Sequence, residues 1–174
     1  MTDLAPPLRQ FVLHWGEMGT RWGINRTVAQ VHALLYISEQ ALTAEEIAET
    51  LTVARSNVSV SLRELQAWGV VRVVHLLGDR RDHFQTTKDV WEMFQLIVEG
   101  RKRREVDPIL AVLRELMAEP RAGLDDHARE RLAELLAFFE MTTAWYEQVR
   151  RMPKSTLARF AKLGSRVARL LEGA

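Results

Sequence analysis

The sequence predicts a mainly α-helical chain that carries one small β-hairpin. Two observations support this prediction. Apolar residues recur at helical spacing over most of the 174 residues, whereas one short stretch, residues 70–77, is rich in β-branched and aliphatic residues. We find no internal repeat and no low-complexity linker, so the helices and the hairpin are expected to follow one another through short connections.

The composition allows a sizeable core and excludes several chemistries. Hydrophobic residues make up 47% of the chain, and the net charge is +1. The chain has no cysteine, which excludes disulfides, thiolate metal sites and thiol nucleophiles. The start of the chain lacks the pattern of a signal peptide, and no apolar run reaches the ~20 residues that span a bilayer. We therefore expect a cytoplasmic protein that does not contact a membrane.

Two helices are predicted at the start of the chain. The first covers residues 8–18, and Gly16, Gly19 and Gly23 are expected to loosen its end. A second helix follows, with Asn25 as its N-cap. His32 lies on the apolar face of this second helix, so we expect a core histidine whose hydrogen bonds are satisfied.

A short helix and a longer helix come next, joined by a tight turn. Thr43 and Glu46 have the spacing of a capping box, in which each side chain accepts a hydrogen bond from the other residue's amide. A helix is therefore expected over residues 44–51. The longer helix is predicted over residues 54–68, because Gly69 suits the position just beyond a helix C-terminus.

A β-hairpin follows this helix pair. Residues 70–77 are predicted to form its first strand, residues 78–81 its polar turn, and residues 82–86 its second strand.

From residue 88 the pattern is helical again. The first of these helices is expected to run through the basic cluster 101–104, which we interpret as a solvated helix face. Asp107 and Pro108 are expected to break or kink it, since Asp107 can cap a new helix and Pro108 suits the first helical position. The remaining predicted elements are a loop at 120–123, a long helix at 126–151 and a last helix at 157–170.

The order of helix pair and hairpin is that of a winged helix-turn-helix domain, which binds DNA for a geometric reason. The second helix of the pair fits the major groove and presents its first residues to the base edges. In the helix predicted over 54–68, apolar residues on one face are expected to pack inward, namely Val58, Leu62 and Leu65. The opposite face is polar and almost free of acids at its start, and it supplies the predicted contacts Arg55, Ser56, Asn57, Ser59, Val60 and Arg63.

The tip of the hairpin gives a second, independent indication of DNA binding. Arg80 and Arg81 lie where a wing would meet the DNA backbone or a narrow minor groove, and Asp79 and Asp82 are expected to orient them. Thr43, at the start of the helix pair, is included among the predicted contacts. The region from 43 to 89 is not strongly basic, so we expect affinity to depend on a few well-placed contacts and on two protomers binding together.

Several stretches resemble the GbsR-type regulators, a branch of the MarR-like winged-helix repressors. The similarity is carried by residues 11–26, 42–48, 54–59 and 78–84 and extends from about residue 8 to 118. The resemblance implies a homodimer that represses transcription. It also implies that recognition lies at Ser56, Asn57, Ser59 and Arg63, with the wing arginines at Arg80 and Arg81. Some relatives respond to small molecules, including quaternary ammonium compounds.

These observations predict three regions. Residues 1–24 form an N-terminal helix for dimer or effector contacts, residues 25–87 form the winged helix-turn-helix domain, and residues 88–174 form a helical dimerisation region. A helical cap within one chain is the alternative for the last region. Trp15 and Trp22 are candidates for an effector pocket. Together with Trp145 and Tyr146 they could form an aromatic cage for a cation, although aromatic residues at helical spacing usually fill cores.

Other functions fit the sequence less well. A winged-helix module that binds proteins rather than DNA is the main alternative, and it would show an apolar patch where this chain has Arg55 to Ser59. An RNA binder would need exposed aromatic platforms. No two of the five histidines have the spacing of metal ligands, and no phosphate-binding loop or nucleophile motif is present. We therefore expect neither an enzyme nor a metal or other cofactor.

Overall fold

The computed structural model describes residues 4–118, 123–157 and 159. The chain divides into two compact units, residues 1–97 and residues 98–174. The described helices and strands, in chain order, are α1 (Pro6–Arg21), α2 (Arg26–Ile37), β1 (Leu42–Thr43), α3 (Ala44–Leu51), α4 (Arg55–Ala67), β2 (Val71–Val74), β3 (His83–Thr86), α5 (Val90–Arg101), a π-helical turn (Lys102–Val106), α6 (Asp107–Ala118) and α7 (Asp126–Arg150).

The core of the first unit is built around α2, whose sequence is apolar on nearly every side. Val31, Leu34 and Leu35 are almost completely buried, and they belong to one cluster with Ile47 of α3 and Leu62 of α4. A helix buried on all sides is expected where other elements surround it. The inward face predicted for α4 is confirmed, since Val58, Leu62 and Leu65 are at most 2% exposed.

Two glycines let α1 approach α2 closely. The expectation that Gly16 and Gly19 loosen the end of α1 is wrong, because the helix continues to Arg21 and both glycines are buried in it. A Cβ atom at Gly19 would lie 2.5 Å from the Cβ of Ala29, and one at Gly16 would lie 2.7 Å from Cγ of Gln30. These glycines are therefore sites of helix packing.

The capping box at the start of α3 is confirmed. The Glu46 amide donates to the Thr43 hydroxyl at 3.2 Å, and the Thr43 amide donates to the Glu46 carboxylate at 2.7 Å. These bonds hold the pKa of Glu46 below its ordinary value, chiefly through the Thr43 amide. The box fixes where α3 begins and so positions the turn into α4.

The wing is a three-stranded antiparallel sheet in the order β1-β3-β2, so the hairpin has a third partner strand in β1. Val73 of β2 and Leu42 of β1 both pair with Phe84 of β3. The prediction that the first strand covers 70–77 is wrong at its end. Residues 75–77 leave the sheet, because Gly78 adopts φ +86° in a tight turn at the tip of the hairpin.

Lys88 caps the C-terminal end of α2, although it lies far from that end in the sequence. Its Nζ donates to the carbonyl oxygens of Leu35 at 2.7 Å, Tyr36 at 2.8 Å and Ser38 at 2.5 Å. The last turn of α2 contains no basic residue of its own. Lys88 therefore supplies the positive charge that favours a helix C-terminus, and burial lowers its pKa.

In the second unit the expected break at Asp107 is not a new helix start. Asp107 has helical backbone angles, and the chain passes from the π-helical turn directly into α6. The Asp107 carboxylate instead accepts a hydrogen bond from Lys102 Nζ at 2.8 Å. Pro108 has no N–H to donate to the preceding turn, and a π-helical turn is one way in which a helix accommodates such a gap.

The helices α6 and α7 pack through a modest apolar contact. Leu110 and Leu113 of α6 are buried, and Arg114 Nε bonds to Glu140 of α7 at 2.9 Å. The predicted loop at 120–123 and last helix at 157–170 lie outside the described residues, except for 123, 157 and 159. Within the described part of the chain, no helix is both long and apolar enough to cross a bilayer.

Candidate nucleic-acid interface

The outward face of α4 presents polar side chains to solvent. Arg55, Ser56, Asn57 and Arg63 are exposed, and Val60 is 54% exposed among them. Within the described part of the chain, the side chains of Ser56, Asn57 and Arg63 make no hydrogen bond or ion pair. Such side chains are available for base edges and phosphates.

The N-terminus of α4 has no cap of its own. Ala54 is its N-cap residue, and its first turn contains no acid. Helix N-termini carry unsatisfied N–H groups and a partial positive charge, so this end can receive a phosphate oxygen. The contrast with α3, which begins with a complete capping box, indicates which end of the helix pair is open to an anion.

A groove of about 360 Å³ lies between α4 and the wing. Arg55, Ser59 and Arg63 line it from α4, Glu45 from the start of α3, and Arg81 from the wing. The structure thus brings four of the predicted contact residues together around one groove. Ser56, Asn57, Val60 and Arg80 are exposed but do not line it.

Arg81 is held in place by Asp79. The Asp79 carboxylate accepts bonds from Arg81 Nε at 3.0 Å and from its backbone N–H at 2.9 Å, and it also accepts from Nη2. This pairing keeps the pKa of Asp79 well below its usual range. Asp79 thus orients the guanidinium of Arg81, as predicted. Asp82, for which the same role was predicted, instead lies 3.9 Å from His75.

The buried His83 supports the same loop. Its Nδ1 lies 3.0 Å from the carbonyl oxygen of Arg81, and its Nε2 lies 3.6 Å from the Asp79 carboxylate. This residue is 4% exposed and pairs with Thr43 across the sheet. Sequence patterns missed His83, because its role depends on the folded position of the hairpin.

Arg80 and Leu77 occupy the exposed tip of the wing. The Asp79 amide donates to the Leu76 carbonyl at 3.1 Å, which closes a turn around Leu77 and Gly78. Leu77 is fully exposed, and Arg80 makes no hydrogen bond or ion pair with another described residue. Leu77 was not predicted as a tip residue, because its aliphatic side chain is typical of a strand.

The prediction that Thr43 contacts DNA is wrong. Its side chain is completely buried, and its hydroxyl is used by the capping box with Glu46. Thr43 therefore acts on the site only by fixing the start of α3.

The candidate effector residues have different surroundings. Trp15 packs against Phe11 and against the His32 ring, with centroids 5.5 Å and 6.4 Å apart, whereas Trp22 is 55% exposed just after α1. His32 is buried, but its Nε2 has no hydrogen-bond partner among the described residues, so the expectation of a fully satisfied core histidine is wrong. The described residues contain no cluster of three ionisable side chains suited to a metal ion. The effector pocket stays a prediction.

Comparison with known proteins gives a family model, a curated relative and solved structures that resemble this chain. Residues 22–82 match the family model described as MarR family. The HTH-type transcriptional repressor GbsR of Bacillus subtilis (strain 168) is 24% identical over 77% of this chain and 77% of its own length. A crystal structure described as a transcriptional regulator superposes with a TM-score of 0.56 and 23% identity, covering 82% of this chain and 99% of that chain. The similarity to that structure shows the fold.

Proposed function

We propose that this chain, whose residues 22–82 match the MarR family model, is a sequence-specific DNA-binding regulator and not an enzyme. It acts as a homodimer in the cytoplasm and represses transcription. The similarity to a protein named as a transcriptional repressor supports the direction of regulation. The observation that carries the proposal is the groove that Arg55, Ser59 and Arg63 of α4 share with Arg81 of the wing.

The proposed complex places α4 in the major groove of a duplex. Its 13 residues are about 20 Å long at the rise of an α-helix, which suits that groove. Asn57 can pair with an adenine edge and Arg55 or Arg63 with a guanine edge, while Val60 offers an apolar contact for a thymine methyl group. The open N-terminus of α4 receives a phosphate.

The wing tip contacts the neighbouring minor groove. Arg80 has no partner among the described residues, so its guanidinium is available to enter a narrow groove of negative potential. Leu77 lies in the same turn and can pack against deoxyribose or between base steps. Arg81, which is tied to Asp79, holds the shape of the tip.

Homodimer formation is supported by apolar side chains that the second unit leaves exposed. On α7 these are Leu135, Phe138, Met141 and Trp145, which are between 41% and 65% exposed. Large exposed apolar patches mark interaction sites. The helix α7 lies within residues 88–174, the region predicted for dimerisation, and it is a candidate interface. The predicted regions 1–24, 25–87 and 88–174 stay predictions.

Paired substitutions test the proposal. The change Arg55→Ala with Asn57→Ala should lower affinity for a preferred duplex by about 10- to 100-fold and affinity for random duplex by much less. His127→Ala, an exposed change on α7, is the control. Equal affinity of the double variant and the control for the preferred duplex in gel-shift titrations would overturn the assignment of α4.

The effector proposal has its own test. Trp15 or Trp22 should report binding of choline or betaine through a change in tryptophan fluorescence, as expected for a cation that stacks on an indole ring. An unchanged spectrum at millimolar ligand would end the idea of a quaternary ammonium site.

A further inference from the structure

We propose that Glu45 is a positioning residue that pairs with Arg55 and limits sequence-independent binding to DNA. The inference rests on the proposed function, and it adds a control of specificity to the surface formed by α4. Glu45 is the second residue of α3 and Arg55 the first residue of α4, so the pair joins the starts of the two helices.

The contact is direct. Arg55 Nε donates to Glu45 Oε1 at 2.5 Å, which leaves the terminal nitrogens of the guanidinium available for another partner. This bond is the main reason why the pKa of Glu45 lies below its ordinary value, with a further Coulombic contribution from Arg81. Glu45 is therefore charged at neutral pH, and it lines the groove together with Arg55, Arg63, Arg81 and one further acid, Asp82.

The Glu45 carboxylate affects the binding of a duplex in two ways. Its negative charge opposes a phosphate that approaches Arg55 or the open N-terminus of α4, and this penalty applies to every sequence. Its hydrogen bond fixes Arg55 Nε, so less side-chain freedom is lost when the terminal nitrogens bind a base edge. The charge lowers affinity for every duplex, whereas the positioning of Arg55 restores affinity only where a matching base edge is present. Together the two effects limit sequence-independent binding and favour the preferred site.

Two substitutions separate charge from positioning. In Glu45→Gln the side-chain oxygen can still accept the Arg55 hydrogen bond, but the opposing charge is gone. In Glu45→Ala both are lost. Glu39→Gln is the matched control, because Glu39 is an exposed acid with no partner among the described residues and lines a separate cavity with Lys88.

The experiment measures affinity for a random-sequence duplex between 50 and 200 mM salt, and affinity for the duplex enriched from a random pool. For Glu45→Gln we expect the salt slope on random duplex to steepen by about 0.9, which means a roughly threefold larger loss of affinity over this range than in the parent chain. Glu39→Gln should stay close to the parent slope. Glu45→Ala should also lose affinity for the enriched duplex by about three- to tenfold.

The outcomes distinguish this inference from the proposed function. If the parent chain binds its enriched duplex but Glu45→Gln and Glu39→Gln have the same slope, the role of Glu45 is refuted and the DNA-binding function stands. If the parent chain enriches no duplex at all, the proposed function itself fails. In an Arg55→Ala background, Glu45→Gln and Glu45→Ala should bind the enriched duplex equally, because no Arg55 side chain remains to be positioned. A difference between these two changes that persists there would refute the pairing.

Discussion

Arg80 and Arg81 are adjacent in sequence, but the fold gives them different tasks. Arg81 is tied to the Asp79 carboxylate by its side chain and its backbone N–H, whereas Arg80 is exposed with no partner among the described residues. A guanidinium that is already paired in the free protein releases fewer counterions on binding than a free one. The two arginines should therefore differ in how they contribute to affinity.

We expect Arg80→Ala to weaken binding on all duplexes and to flatten the salt slope by about 0.9, as for the loss of one phosphate contact. Arg81→Ala should instead lower stability, because it leaves Asp79 unpaired. Salt titrations of DNA binding and urea unfolding of both variants test this difference. Identical behaviour of the two variants in both assays would contradict it.

His32 predicts how stability depends on pH. Burial, with a smaller contribution from the charge of Lys88, lowers its pKa from 6.5 to about 4. Between pH 6.5 and 4 the His32 side chain binds a proton in the unfolded chain but stays neutral in the folded chain. This group's contribution to stability is therefore present above pH 6.5 and is lost as the pH falls toward 4, by roughly 3 kcal/mol.

The variant His32→Gln should have a flatter dependence of the free energy of unfolding on pH between 6.5 and 4, whatever its stability at neutral pH. The measurement is urea unfolding at several pH values, with His127→Gln as the exposed histidine control. A slope that is unchanged in His32→Gln would show that His32 already protonates in the folded chain.

Among the helices and strands, the helix ends show which contacts could be predicted from the sequence and which could not. The capping box of Thr43 and Glu46 was predictable, because its partners are three residues apart and both signals are local. The bond between Lys88 and the end of α2 was not, since about fifty residues separate donor and acceptors. The pairing of Arg55 with Glu45 was also missed, because the two residues lie on different helices and meet only when the turn between α3 and α4 is folded.

The contacts of Lys88 predict how much this side chain stabilises the end of α2. Lys88→Met should lower the free energy of unfolding by about 1–3 kcal/mol, because three carbonyl groups at the end of α2 lose a charged donor. Arg80→Met removes the same charge from a side chain without a partner among the described residues and serves as the control. Equal urea midpoints for the two variants would argue against the cap.

Aliphatic residues and glycines led to wrong predictions of local structure at positions where tertiary contacts determine the conformation. Leu76 and Leu77 have the character of a strand, yet Gly78 turns the chain before they can pair. Gly16 and Gly19 suggest the end of a helix, yet α1 continues through both. Glycine is required at these positions because α1 approaches α2 so closely that a larger side chain has no room. Amphipathic spacing was more informative for α4, since the buried and exposed faces predicted for it are both observed.

At the scale of the whole molecule, the proposal requires two copies of the chain. Phe138 and Trp145 are more than half exposed on α7, although burying such side chains is strongly favourable. Phe138→Glu with Trp145→Glu should shift the protein from dimer toward monomer in sedimentation experiments at micromolar concentration. His127→Glu, on the same helix, should not. A dimer that withstands the double change would place the interface elsewhere.

The most direct test of the central claim is selection of bound duplexes from a random pool with the intact protein. A homodimer that reads DNA through α4 should enrich a two-fold symmetric sequence whose half-sites lie about one helical turn, roughly 10 base pairs, apart. The positions of strongest preference should relax in Arg55→Ala with Asn57→Ala. A pool that shows no enrichment, or an enriched sequence whose preferences are the same for parent and variant, would contradict the claim.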